Sequence, residues 1–257
     1  MLKDKIVVIT GGSGLIGSSF VEAVVKNQGV AVIADINLDL AYDLKSQLEN
    51  KYQNANIECI LLDITSKDSI QKCIIHLNDK YGRIDALVNN AYPRTKNWGK
   101  KSFYEVEYED FCLNMNMQMG GYLLCSQQFS IYFKNQGFGN IVSISSIQGV
   151  YAPKFDTYYG TSMTSPIEYS IVKAGVNHMT RYLAKYFANS GIRVNAIAPG
   201  GILDKQPESF LERYRGYCTS KGMLDAQDLN GALVFLLSDN SKFINGQILV
   251  VDDGWGL

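Results

Sequence analysis

The 257-residue chain is short of several things, and each shortage excludes a class of protein. It has only five prolines, no internal repeat, no low-complexity tract and no Pro/Gly/Ser-rich linker. Nothing therefore marks a disordered arm or a seam between domains. It lacks an excess of either charge: the formal net charge is -1. Binding driven by bulk electrostatics, to nucleic acid or to an anionic membrane surface, is not expected. Its five cysteines, Cys59, Cys73, Cys112, Cys125 and Cys218, form no C-x-x-C pair. Such a scattered, odd set reads as reduced thiols of a cytoplasmic protein, most of them small core residues. The apolar run in the opening MLKDKIVVIT is too short for a signal peptide or a membrane span. A soluble, cytoplasmic protein with no membrane partner is expected, and no metal site is called for.

Apolar material is plentiful. Hydrophobic residues make up 46% of the chain and charged residues 19%, enough for a large core. Short runs that are apolar on consecutive positions recur at Ile6–Thr10, Val30–Asp35, Glu58–Asp63, Ala86–Asn89, Asn140–Ser145, Arg193–Ala198 and Gln247–Val251. Consecutive burial is the mark of a parallel strand covered on both faces. Amphipathic stretches lie between them, at Leu15–Asn27, Leu38–Tyr52, Ser66–Tyr81, Glu107–Lys134, Ile167–Ser190 and Ala226–Leu237. The alternation predicts an α/β fold: a single domain, 1–257, with a doubly wound parallel sheet of about seven strands. Tyr92–Phe103 and Val150–Pro166 break the rhythm after strand ends, where open α/β sheets bind ligands. With 201–222 they are the candidate substrate loops.

The segment IVVITGGSGLIG is a strand, a glycine turn and the start of a helix. Gly11 permits the turn, Gly14 lets backbone approach a pyrophosphate, and Gly17 allows close helix–strand packing. Asp35 ends the second strand, 18 residues after Gly17. A carboxylate there accepts from both adenosine ribose hydroxyls and repels a 2′-phosphate, which favours NAD over NADP. Asp63 and Ile64, ending the third strand, either flank the adenine or belong to a helix N-cap.

Moving a carbinol proton at neutral pH requires a group such as a tyrosine whose phenol has lost about 3–4 kcal/mol of its preference for the proton. A lysine one helical turn away, with a positive nicotinamide, supplies that in a desolvated site. Sixteen tyrosines and 18 lysines make about one Y-x-x-x-K expected by chance, and there are three. Pro93 makes Tyr92/Lys96 a loop, and Tyr217/Lys221 lies in a polar stretch without a neighbouring strand. Tyr169/Lys173 opens a long amphipathic helix downstream of a serine-bearing strand end and is the pair selected.

These motifs, in this order and from end to end, resemble the short-chain dehydrogenase/reductase family. TGGSGLIG is similar to its cofactor turn, Asn89–Asn90–Ala91 to its N-N-A signature, IVSISSIQG to its serine strand and YSIVK to its Tyr/Lys pair. RVNAIAPG is similar to its nicotinamide-flanking segment, and GQILVVDDGW to its ending. The resemblance implies a Rossmann-type, three-layer αβα sandwich binding NAD, with Tyr169 as general acid/base. It implies Lys173 as the group that lowers the Tyr169 pKa and holds the nicotinamide ribose, and Ser146 as the group that orients the substrate oxygen. Ser13, Leu15 and Ile16 of the turn, Asn90, Ala91, Pro199, Gly200 and Ile202 would line the cofactor cleft. A homodimer or homotetramer through Glu107–Lys134 and Ile167–Ser190 is also implied.

Four features depart from the family pattern. Leu15 stands where the compact branch has its second glycine, a spacing more typical of the longer, sugar-nucleotide-modifying branch. Tyr92 replaces the glycine after Asn-Asn-Ala, where its ring either stacks on a sugar, narrows the pocket or packs on Trp98. The structural asparagine of the fourth long helix corresponds to Gln118, with Asn116 facing elsewhere. Ser146 and Tyr169 are 23 residues apart, about ten more than the family shows, which lengthens a loop containing Tyr159 and rich in Tyr, Ser and Thr. Arg94, Lys96, Lys100 and Lys101 make Tyr92–Phe103 locally basic, either a solvated loop or a clamp for a phosphorylated or carboxylated substrate. N-N-A-Y-P-R with G-T-S-M-T-S-P-x-E-Y resembles oxidoreductases of bacterial nonulosonic-acid and flagellin-glycan pathways, which points to a sugar or sugar phosphate. The expected function is alcohol/ketone oxidoreduction on such a substrate with NAD. The alternatives are a sugar epimerase or dehydratase without net redox, and a catalytically idle dinucleotide-binding module.

Overall fold

The computed structural model describes residues 1–257. Seven strands form one fully parallel sheet in the order β3-β2-β1-β4-β5-β6-β7. They are β1 (Ile6–Thr10), β2 (Val30–Asp35), β3 (Asn56–Leu61), β4 (Ala86–Asn89), β5 (Gly139–Ile144), β6 (Ile192–Pro199) and β7 (Ile248–Val251). Strand order reverses between β1 and β4, so the ends of these two strands open the crevice in which such sheets bind ligands. The helices are α1 (Leu15–Lys26), α2 (Leu38–Lys51), α3 (Lys67–Tyr81), α4 (Tyr108–Met115), α5 (Gly121–Gln136), α6 (Ile167–Tyr186), α7 (Glu208–Arg215) and α8 (Asn230–Leu237).

Consecutive apolar residues on each strand feed two cores. Val7, Ile9, Ala31, Ile33 and Val142 turn towards α1, α2 and α8. Their neighbours Ile6, Val8, Val30, Val32 and Ile141 turn towards α3, α5 and α6. This is the three-layer arrangement expected from the pattern. Cys73 and Cys125 are buried in the second core, whereas Cys112 is exposed. No helix is long and apolar enough to cross a membrane.

Three expected elements differ in detail. The third strand starts at Asn56 rather than Glu58, because Asn56 pairs with Val30 in the register set by β2. As an edge strand β3 tolerates a polar start. The stretch 107–134 is not one helix: a π-turn over Asn116–Gly120 separates α4 from α5. Gly121 lies directly against Ile64, where a Cβ would come within 2.6 Å of Ile64 Cδ1. The 201–222 segment, expected as loop, contains α7, an amphipathic helix whose Phe210 and Tyr214 are buried.

Phe133 on α5 lies across Gly139, where any Cβ would fall onto the Phe133 ring. It is fully buried. Phe133→Ala should therefore lower unfolding stability by about 3–5 kcal/mol in a urea titration. A loss under about 1 kcal/mol would mean that the α5 layer does not carry the core as described.

Candidate active site

The glycine turn is built by β4 as much as by its own residues. Thr10 Oγ accepts hydrogen bonds from the backbone N–H groups of Asn90 (3.0 Å) and Ala91 (3.1 Å). Asn90 Nδ2 returns bonds to the carbonyls of Thr10 and Gly11, at 3.0 and 3.1 Å. Gly11 adopts φ +61°, and a Cβ on it would press to 2.8 Å from Ala91 Cα. A Cβ on Gly17 would land on the Gly11 carbonyl. Both glycines are thus sterically required. The turn leads into α1 with Gly14 as its N-cap, and the N–H groups of Leu15, Ile16 and Gly17 have no acceptor in the chain. Free donors at a helix N-terminus beside a close-packed glycine turn suit a pyrophosphate. Leu15 itself is half exposed at 51%, its side chain turned to solvent.

Asp35 sits at the end of β2, close to the turn. Its Oδ2 accepts from the Ser13 backbone N–H at 3.1 Å and from the Ser13 hydroxyl. Oδ1 accepts from Asn37 N–H at 3.0 Å. Three donors of the chain thus reach this carboxylate, which offers about four lone-pair directions. Asp63 Oδ1 holds Thr65 through N–H (2.8 Å) and hydroxyl (2.7 Å). It is not a helix cap, a role taken by Ser66 for α3. The Ile64 side chain is buried against α5, so only its backbone is placed to meet a ligand.

The serine strand and α6 bring the chemistry together. Ser145 is spent on structure: its hydroxyl donates to the Lys173 carbonyl at 3.1 Å. The Ser146 Oγ accepts from Gln148 N–H at 3.1 Å, leaving its own proton to be donated elsewhere. Tyr169 lies beside Ser146, one turn before Lys173. The Lys173 ammonium donates to the Ile144 carbonyl at 2.8 Å and lies 5.6 Å from the Tyr169 ring centroid. Burial brings Lys173 down to about 7. Burial also pushes the Tyr169 phenol above its ordinary value, with the Ser146 hydroxyl acting in the opposite direction. In the chain by itself desolvation is the largest influence on the phenol and favours its protonated form; the expected lowering includes the charge of a bound nicotinamide.

Gln118 lies inside the π-turn and is buried, while Asn116 is exposed. Within the π-turn the glutamine side chain faces inward. Neither Gln118 Oε1 nor Nε2 makes a hydrogen bond within the chain, nor does the buried Tyr122 hydroxyl. No chain of side-chain bonds joins Gln118 to Lys173, so a relay through it is not built by protein atoms alone.

The long loop after Ser146 is a strap. Tyr158 packs edge-on against Phe210 of α7 at 5.2 Å. Lys154 stands over the rings of Tyr217 (4.6 Å) and Trp255 (5.2 Å), and Tyr217 donates to Asp156. Thr164 Oγ donates to the Gly99 carbonyl at 3.0 Å. Gln148, whose N–H donates to Ser146 Oγ, ties the strap to Ser146 and α6: Nε2 donates to Tyr158 Oη at 3.3 Å, and Oε1 accepts from Ser165 (2.8 Å) and Ser170 (3.2 Å). Sequence reasoning passed over Gln148 and Tyr158, and named Trp98 only as a packing partner for Tyr92. The only signal for Gln148 was its place inside the serine motif. Tyr159, the expected substrate tyrosine, is 67% exposed, its carbonyl held by Arg213. It lies on the rim of a cavity of about 800 Å³ on the other face of α6, which Gln148 and Tyr158 also line but Ser146, Tyr169 and Lys173 do not.

Beyond β6, Gly200 N–H bonds to Val251 O at 2.8 Å, and Gly201 N–H to Tyr214 Oη at 2.6 Å. Ile202 bridges to Leu224. These contacts set Pro199, Gly200 and Ile202 at the sheet end under α7. Arg94 and Lys96 are exposed and form no ion pair.

The family model described as "Enoyl-(Acyl carrier protein) reductase" matches residues 13–256. A solved short-chain dehydrogenase from Leptospira borgpetersenii with bound NAD+ superposes with a TM-score of 0.86 at 32% identity, covering 100% of this chain and 94% of that one. The chain is a member of the short-chain dehydrogenase/reductase family. Among curated relatives of this dehydrogenase/reductase, post-translational flagellin modification protein A of Campylobacter coli is 51% identical over the full length of both chains. The 7alpha-hydroxysteroid dehydrogenase of Bacteroides fragilis is 32% identical, over 98% of this chain and 94% of its own. As a member of this family the chain is an oxidoreductase acting on CH–OH groups.

The buried ammonium has a measurable consequence. Burial holds Lys173 at about 7 against 10.5 for a free lysine. Below about 7 the folded and unfolded chains both carry the charge, and burying it costs stability in full. Between the two values the unfolded chain holds more protons, so stability rises with pH until the penalty vanishes above 10.5. Lys173→Met removes the charge. It should unfold at higher urea than the parent near neutral pH, with the gap closing as pH rises. A gap that is constant with pH would contradict the burial of a charged amine.

Proposed function

We propose that the chain is an NAD(H)-dependent oxidoreductase that interconverts a secondary alcohol and a ketone on a polar, sugar-derived substrate. The observation that carries this reading is the half-buried Tyr169 with the buried Lys173 beside Ser146, at the strand ends where the glycine turn also lies. Ser146 Oγ, its acceptor side taken by Gln148 N–H, points its own proton at the substrate oxygen. Tyr169 Oη gives that oxygen a proton in reduction and takes one in oxidation. Lys173, fixed on the Ile144 carbonyl, keeps its two other N–H donors for the neighbouring ribose hydroxyls and its charge near the phenol. The nicotinamide, when bound, carries the hydride and adds a positive charge beside Tyr169.

Gly11, Ser13, Gly14, Leu15, Ile16 and Gly17 would hold the dinucleotide phosphates and ribose. Asp63, the Ile64 backbone, Asn90, Ala91, Pro199, Gly200 and Ile202 would border it. The buried carboxylate of Asp35 favours NAD, since a 2′-phosphate brought against it would be repelled. The sugar reading draws on the flagellin modification relative and on the polar strap. The same reading takes the protein to work in the cytoplasm as a homodimer or homotetramer. Exposed apolar residues on α5 (Leu123, Ile131) and α6 (Ile171, Tyr182) fit such an interface; sedimentation as a monomer at micromolar concentration would contradict it.

Tyr169→Phe should lower turnover by about a hundredfold or more while leaving NAD binding intact. The measurement is a screen of sugars and sugar phosphates with NAD+, read as NADH formation and repeated with NADP+. Near-parental turnover by Tyr169→Phe would overturn the mechanism, and equal use of NADP+ would overturn the Asp35 argument. Conversion of a sugar without net NADH would favour the epimerase or dehydratase reading instead.

A further inference from the structure

Tyr92, standing where the family has a glycine, faces the reacting end of the cleft. Its ring centroid lies 5.8 Å from that of Tyr169 and 5.6 Å from that of Trp98, edge-on to both. Trp98 is in turn 6.2 Å from Tyr169, at 79°. Three rings meet at near right angles, with the catalytic phenol as one of them. Tyr92 neither only packs nor only protrudes: it closes on Trp98 and still leaves 37% of its surface exposed.

Two cations flank the Tyr92 ring, Lys173 Nζ at 5.5 Å and Arg94 Cζ at 5.1 Å. Lys173 is committed to the Ile144 carbonyl. The Arg94 guanidinium sits over the ring with no ion pair, its orientation favoured by the π-face beneath it. Asp110, the carboxylate that the loop engages, is taken up within the chain: its Oδ2 accepts from Thr95 Oγ at 3.0 Å and from Asn114 Nδ2 at 3.3 Å. Thr95 N–H also donates to Asn114 Oδ1 at 3.1 Å. The root of the loop is thereby pinned to α4, directly after Arg94. Lys96, Lys100 and Lys101 have no ion-pair partner.

We propose that Tyr92, Trp98 and Arg94 form a recognition corner for a sugar ring bearing an anionic group, a phosphate or a carboxylate. The proposal rests on the reading of this cleft as an alcohol/ketone site and specifies its substrate class. The C–H face of the sugar lies against the aromatic walls, which offer flat apolar area at little conformational cost. The anion takes the planar fork of Arg94, which matches phosphate and carboxylate alike. An uncharged polyol would leave that guanidinium without a partner, and a purely apolar substrate would bring it no anion.

Trp98 is itself the reporter. The chain has two tryptophans, and the other, Trp255, is buried in a separate cluster with Tyr214 and Phe210. A Trp255→Phe chain, titrated without dinucleotide so that no turnover intervenes, is expected to show saturable Trp98 quenching by a hexose phosphate or a hexuronate. Affinity for the charged sugar should exceed that for the parent hexose by about tenfold or more. Arg94→Ala should abolish the difference, and Tyr92→Gly should weaken binding of all three probes. A response to the phosphate alone or to the carboxylate alone supports the corner and identifies the anion. Equal affinities for charged and uncharged sugars, indifference to Arg94→Ala, or no response to any probe overturns it. If Trp255→Phe does not fold, saturation-transfer NMR on the parent chain makes the same comparison. NADH formation from the same sugars separates the two levels. Turnover without a Trp98 response removes the corner and leaves the hydride reading. Binding without turnover of any sugar does the reverse.

Discussion

The site depends on one buried interaction, the Lys173 ammonium donating to the Ile144 carbonyl. It joins the first half of α6 to the end of β5, a central strand. The amine is taken out of water, which costs stability and brings its pKa to about 7. In return, Tyr169 one turn earlier is fixed at the strand ends, and Ser145 locks the same turn through the Lys173 carbonyl. Gly149 packs so closely on the Lys173 backbone that any side chain there would collide with it. The position of the phenol is therefore set by helix–strand packing, not by a flexible loop.

Around that fixed pair the substrate side is assembled from segments distant in sequence. The strap of residues 150–166 reaches the 92–103 loop, α7 and the C-terminal tail, and it returns to Ser146 through Gln148. Asp253 completes the assembly at the tail. Its carboxylate receives N–H bonds from Ser220 (3.1 Å), Lys221 (2.5 Å) and Gly222 (2.7 Å), and a hydroxyl bond from Ser220 (2.6 Å). These bonds hold the carboxyl far below the ordinary range. The segment that follows α7 is thus anchored at its end. These walls are held in place by the chain's own bonds, and a preformed wall reduces the ordering cost of any binding.

Much of this was legible in the sequence, for a physical reason. Parallel strands covered on both faces must be apolar at consecutive positions, so the sheet announces itself. The glycines at 11 and 17 are required by backbone contacts that no other residue permits. Tyr169, Lys173 and Ser146 could be picked because a helix start and a strand end place them. What could not be read depends on partners far along the chain. Tyr158, rather than Tyr159, turns inward because Phe210 and Gln148 receive it. Asp35 shares its carboxylate with Ser13 because the glycine turn folds back onto β2. The π-turn at Asn116–Gly120 has no pattern in a periodicity of 3.6, and only the inward turn of Gln118 reveals its effect. For Tyr92 the sequence left packing and substrate contact as alternatives, and the geometry allows both.

The central claim is that burial holds Tyr169 protonated in the free chain and that positive charge supplied with the dinucleotide releases it. The direct measurement is the titration of the Tyr169 phenol by NMR of ring-labelled chain, assigned with Tyr169→Phe, with and without NAD+. Without dinucleotide the phenol should titrate above the ordinary 10.0, and with NAD+ bound it should move below that value. A phenol already depressed in the free chain, or one unmoved by NAD+, would contradict the account.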